Sequence, residues 1–267
     1  MPRRDADLGY FGPGSVTWRV HASTAMFVGG MRALLLQALH PRAMAGVDQF
    51  SDFRSHPWRR LVRTIDYVLV NTYGTTAQAD EAAARVRRMH RRVRGKDPVT
   101  GMPYSADEHD LLLWIHAVEV DSYLEAYRAY GTGLSHTDAD RYVAERVCSV
   151  ELLGFPVGRA PGSVAELKDY FASVEGEMVL SDAAREVRSL VLRSPLPFPL
   201  NTPLRLPGAA AAVILPPHAR ATYELRWPWP IDEAVRISTR IACAALQPLI
   251  PDTRLVRSAK RRAREAA

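Results

Sequence analysis

Lysine is nearly missing from this chain: Lys96, Lys168 and Lys260 are the three among 35 basic residues. So strong an arginine bias, alongside abundant alanine, reads as base composition of the gene rather than as a binding device. The net charge of +6 and pI near 9.5 are therefore a weak argument for an anionic partner, and no nucleic-acid partner is expected. Cysteine is scarce too. Cys148 and Cys243 lie far apart among apolar or small neighbours, which predicts buried free thiols and a reducing compartment. Long apolar runs are also lacking: 25–39, interrupted by Arg32, and 209–217 both fall short of the ~20 residues of a spanning helix. No transmembrane segment is expected. No apolar h-region follows the mixed charges of the first seven residues, so no secretory signal is expected and the cytoplasm is the expected address.

Missing motifs narrow the function further. There is no Gly-x-Ser-x-Gly elbow, no phosphate-cradling Gly-x-x-x-x-Gly-Lys, no dinucleotide fingerprint and no Cys-x-x-Cys, so hydrolase, nucleotide-binding and zinc-ribbon readings lose their support. No alternating strand pattern, fixed-period repeat or Ser/Gly/Pro-rich linker is present. With 267 residues, 47% of them hydrophobic, the chain is long enough for a sizeable core. It reads as one all-α, multi-helix globular domain spanning 1–267.

Helix punctuation is what the sequence offers in abundance. Hydroxyl residues stand three positions before an acidic or amide residue at Thr75 with Gln78, Ser105 with Glu108, Thr137 with Asp140, and Ser163 with Glu166. Gly95, Gly131 and Gly154 with Pro156 then predict the stops of the first three helices. Upstream, 15–39 reads as one buried helix weakened at Gly29-Gly30 and closed by His40-Pro41, and another starts near Pro57 and runs to about Tyr73. Downstream, 163–177, 181–193, 218–226 and 231–249 read as helical. The prolines at 195, 197, 199 and 203 predict an extended passage, and the basic tail 254–267 is expected to fray.

His90 is the most informative single residue. A helical repeat puts Ala83, Val86, His90 and Val93 on one stripe, with arginines over much of the rest. The imidazole is expected to point inward, where it needs a hydrogen-bond partner or a metal; a backbone carbonyl and an axial position on haem iron are both open from spacing alone. Arg60, Arg63 and Thr64 share a helical face, a patch suited to a porphyrin propionate or to oxygen, or else a solvated arginine face. His116 with Glu119 one turn on forms a His-x-x-Glu pair that allows a non-haem iron or manganese site, although neither Glu145 nor Glu151 has the histidine that a second such helix would need. His40 closes the first long helix, where an imidazole suits orphan carbonyls. His116 and His40 complete the candidate cofactor contacts.

Four segments in order, RALLLQALHPRAMAGV at 32–47, WRRLVRT at 58–64, MHRRVRG at 89–95 and LLWIHA at 112–117, resemble the landmarks of one family. It is the family of latex-clearing rubber oxygenases and fungal MpaB-type oxygenases, and the resemblance extends over about 10–250. The resemblance implies a helical fold with haem b, a histidine ligand to the iron, and oxidoreductase chemistry in which dioxygen attacks a hydrophobic small molecule. It makes His90 the axial ligand and Arg60 and Thr64 the distal-side residues. Arg63 stands where the rubber enzymes carry a lysine able to reach the iron; arginine stays protonated and is a poor iron ligand. The carboxylate proposed as base in rubber cleavage has only the distant candidate Asp48, so polyisoprene cleavage is not implied. A haem-binding peroxidase-like enzyme or sensor, and a non-enzymatic helical protein gripping an anionic partner through its arginines, are the alternatives.

Overall fold

The computed structural model describes residues 7–51, 53–193 and 202–266, and almost all of its regular structure is α-helix. Helix α1 (Val16–His21) starts where the Ser15 hydroxyl accepts the Trp18 N–H. The predicted single helix over 15–39 is two helices, because the chain turns at 22–24 before α2 (Ala25–Ala38). The cause lies far along the chain. Gln247 accepts the Thr24 N–H and donates to the Ala22 carbonyl, while the Thr24 hydroxyl donates to the Cys243 carbonyl. The glycine pair, where weakness was expected, stays helical.

His40 opens a helix rather than closing one. Its Nδ1 accepts the Ala43 N–H at the start of α3 (Pro41–Phe50), with Pro41 in the first turn, where a missing N–H is harmless. Helices α4 (Pro57–Tyr73) and α5 (Thr76–His90) follow, α5 sealed by the Thr75/Gln78 capping box. α5 ends at His90, not at Gly95. Residues Arg94–Lys96 (β1) instead pair antiparallel with Pro103–Ser105 (β2), Gly95 opposite Tyr104. Gly95 is required there, since a Cβ would sit 2.5 Å from Gln49 Oε1 and 2.9 Å from the Tyr104 hydroxyl.

Helix α6 (His109–Tyr130) is the central one. Its cap position is Glu108, and α7 (His136–Glu151) is capped by Ser135, so the predicted starts at Ser105 and Thr137 are displaced by a few residues. Then come α8 (Val164–Val174), capped by Ser163 as expected, a 3-10 turn over Glu175–Glu177, α9 (Asp182–Arg193), α10 (Thr202–Val213), α11 (Pro217–Thr222), α12 (Trp229–Leu246) and α13 (Arg254–Ala266). Of the prolines expected to force an extended passage, Pro195, Pro197 and Pro199 lie outside the described residues and Pro203 is inside α10. The tail is not frayed: α13 packs Leu255, Val256 and Ala259 on Trp18 and Tyr73, and Arg262 donates to the Tyr73 carbonyl.

The core forms where α2 lies along α6, with Leu35, Leu36, Leu39, Trp114 and Val118 fully buried and α9, α10 and α12 packed around them. Arg32, which interrupts the apolar run of α2, is buried because Asp121 pairs with it at 2.7 Å and Ser122 and the Ile214 carbonyl accept its remaining N–H groups. No helix among the described residues is long and apolar enough to cross a membrane.

Candidate functional site

The second half of helix α4 is buried through Val68, Asn71, Thr72 and Tyr73, and its close neighbours are α5, α1 and α13. In its first half Val62 is 55% exposed and Ile65 37%, and Ile115 of α6 is exposed too.

A narrow recess of about 30 Å³, partly open to solvent, has Arg60 of α4 and Ile115 of α6 in its wall. The rest of the wall is almost wholly apolar: Leu34, Met44, Val47, Phe53, Val187 and Leu190 contribute side chains from α2, α3, α9 and the α3–α4 link. Arg60 is half-buried at the edge of this hydrocarbon surface, where a guanidinium is strongly directional. Thr64, one turn on, is exposed and donates its hydroxyl to the Arg60 carbonyl, and Arg63 is exposed. The expected patch is thus a half-buried arginine with two outward neighbours.

His90 comes to the same end of α4. Helices α4 and α5 pack as a hairpin joined through Gly74 and Thr75, and equal rises along antiparallel helices carry His90 back to the level of the first turns of α4. Burial raises the pKa of Tyr67 on α4, and Arg87, one turn before His90 on α5, is among the charges that oppose the rise. The His90 ring is half-buried, and its Nδ1 is shut off from solvent without a hydrogen-bond partner. Burial lowers the pKa of the ring, partly offset by Asp107 in the turn after β2. The imidazole is neutral at pH 7, with one enclosed nitrogen unanswered. Buried polar atoms in that condition are rare, and ligand or metal sites are among the usual reasons.

Two turns beyond Thr64 the site acquires a polar floor. Tyr67 and Asn71 continue the α4 face of Arg60 and Thr64. Asn71 Oδ1 accepts from Arg146 (3.2 Å) and from Ser149 (2.9 Å), both on α7. Arg146, 2% exposed, also pairs with Glu119 of α6 at 2.6 Å. The Tyr67 hydroxyl, Asn71 Nδ2 and Arg146 Nε are buried without partners. Glu119 lies deep in the molecule, and burial pushes its pKa up against the pull of Arg146. Even so, 21% of its side chain is accessible.

His116, one turn before Glu119, is buried, and its pKa is pushed down to about 3 by desolvation and then by Arg146. Its expected metal partner is ion-paired to Arg146 instead, and no group of three or more histidine, cysteine or acidic side chains able to cage a metal is found among the described residues. His40 is engaged elsewhere, with Nδ1 at the α3 cap, Nε2 at 3.3 Å from Glu177 and its ring against Trp114. Asp48, the distant candidate for a base, is ion-paired with Arg54.

Segments on α2–α3, α4 and α6 line one recess, and the fourth, carrying His90, ends α5 without entering its wall. Residues 18–247 match the family model described as ER-bound oxygenase mpaB/B'/Rubber oxygenase, catalytic domain. The chain belongs to that family. No curated protein and no solved structure matches it. Membership makes this an oxygenase-type chain, and the residues its site brings together are those of the matched span. Sequence reasoning singled out His90 and Arg60. It missed Tyr67, Asn71 and Arg146, although Tyr67 and Asn71 follow Arg60 and Thr64 at helical spacing, a signal that was legible. Arg146 carried no such signal, because it enters from a helix more than seventy residues further on.

Proposed function

We propose that this chain is a haem b-dependent oxygenase of a hydrophobic small molecule, with His90 as the iron ligand and dioxygen as co-substrate. The observation that carries the reading is the enclosed, unpartnered Nδ1 of His90, within the residues that match the oxygenase family. The residues fit the group: a single neutral imidazole without converging carboxylates or thiols suits an axial site, where the porphyrin supplies the other donors. Haem iron, when bound, supplies one-electron chemistry and a place for dioxygen to be activated.

The chain's own side chains supply the rest. His90 is kept neutral by burial, so its lone pair is free at pH 7. Arg60 brings a permanent positive charge and hydrogen-bond donors to the rim of the recess, the electrostatic help that an oxygen centre gaining negative charge requires. Arg63, exposed and always protonated, does not serve as an iron ligand. Leu34, Met44, Val47, Phe53, Val187 and Leu190 give the substrate a hydrocarbon wall and exclude water from it. Glu119, pinned by Arg146, is the carboxylate placed to hold a proton near that space. Free Cys148 and Cys243 support a reducing address such as the cytoplasm.

Haem titration of the wild-type chain and of His90→Ala tests the reading. Wild type is expected to develop a sharp Soret band that saturates near one equivalent. The variant should keep its far-ultraviolet dichroism and lose the saturable band; an identical band in the variant would remove His90 from the role.

A further inference from the structure

Helix α12 is apolar on the side that should face water. Its inner face is buried through Thr239 and Cys243 against α10 and α6, with Thr24 at the start of α2 donating to the Cys243 carbonyl. Its two arginines turn toward the body, Arg236 donating to the Val213 carbonyl and Arg240 to the Ala129 carbonyl, and Asp232 is held by Arg220 at 2.6 Å. That leaves Ile237 (52% exposed) and Ile241 (64% exposed) on an outer face shared with alanine, serine and proline, with the half-exposed Glu233 one turn before Ile237 and the exposed stem of Arg240 at its edge. Trp229 at one end, and Leu246, Leu249 and Ile250 at the other, extend the exposed apolar surface. A concentration of this kind on one edge of a protein is a docking surface far more often than an accident of composition.

The chain that leaves this surface runs directly into α13, whose exposed residues include Arg254, Arg257, Lys260, Arg261 and Arg264. Apolar bulk with a tryptophan, continuous with a cationic helix, complements an anionic lipid surface: the aliphatic and indole groups enter the headgroup–acyl boundary, and the arginines meet the phosphates. A second copy of the same chain fits less well, because a two-fold contact over this face would bring two strongly basic segments together. We infer that the outer face of α12, with Leu246 to Ile250 and the cationic face of α13, is a peripheral docking surface for anionic membranes. The assignment does not depend on the haem reading. It gives a chain without a spanning helix among its described residues a way to meet an apolar substrate dissolved in a bilayer.

Co-sedimentation of the full chain with phosphatidylcholine vesicles, with and without phosphatidylglycerol, tests the inference. The chain is expected to pellet with the anionic vesicles and to be released by salt. Ile237→Glu/Ile241→Glu should partition at least ~tenfold more weakly, and Arg257→Glu/Arg261→Glu should lose the preference for anionic lipid. All four positions are on the outside, so unchanged thermal unfolding is expected and serves as the folding control. Failure of the wild-type chain to pellet would overturn the inference. So would a solution dimer that Ile237→Glu/Ile241→Glu converts to monomer while vesicle binding is unaffected, which would assign the face to a second copy.

Discussion

Arg146 is the residue on which the floor of the site depends. Its guanidinium is buried against Glu119, Asn71 and, through Asn71, Ser149, so removing it leaves a carboxylate in a poorly solvated place. Arg146→Met is expected to destabilise the chain by about 3–5 kcal/mol in urea unfolding, and Arg146→Met/Glu119→Leu to recover most of that loss. Equal losses in the single and double variants would mean that packing, not charge, is what Arg146 supplies. His116 allows a pH test. Its folded pKa of about 3 lies below the ordinary 6.5, so between those values the unfolded chain binds a proton that the fold refuses. Stability is then complete above pH 6.5 and falls as pH drops through that window, by up to ~1.4 kcal/mol per unit for one such group. His116→Gln should flatten this slope between about pH 6.5 and pH 4.5, a difference of about one proton. An unaltered slope would assign the acid loss to other groups. His90 was legible because its stripe is amphipathic within one helix, whereas Arg146, Glu119 and Asn71 meet from three helices and no local pattern relates them.

Adjacent glycines separate packing from propensity at the level of the helix pair. A Cβ on Gly29 would lie 2.6 Å from the Tyr123 ring and 3.1 Å from the Ser122 carbonyl, whereas one on Gly30 meets nothing within 4 Å. Gly29→Ala should therefore push α2 off α6 and cost about 1–3 kcal/mol, and Gly30→Ala should be neutral or stabilise by up to ~1 kcal/mol through helix propensity; thermal unfolding of the two variants decides. The first half of α4 makes a second prediction. If haem completes the recess, amides over 59–66 should become protected from hydrogen exchange on haem addition, while 68–73, already buried, should change little. The helices themselves were readable where a cap decides them locally, as at Thr75 and Ser163. They were misread where tertiary contacts decide: Gln247 breaks 15–39 in two, Ser135 rather than Thr137 caps α7, and α13 is helical because Trp18 and Tyr73 bury one side of it.

At the scale of the whole molecule, an order of motifs along the chain becomes a shape. The packed pair α2 and α6 forms the rigid wall, α4 and α5 pack on each other beside it, and the recess that Arg60 and Ile115 share is apolar in most of its lining. That arrangement suits an oxygenase that must hold a flat, largely apolar group by one imidazole and admit a hydrocarbon beside it. The most direct measurement is a pyridine haemochrome assay on the chain purified from haem-replete cells, beside His90→Ala prepared the same way. The account predicts about one haem b per wild-type chain and close to none in the variant, with both proteins folded. A wild-type chain that is folded and takes up no haem, or a variant that retains a full equivalent, would contradict it.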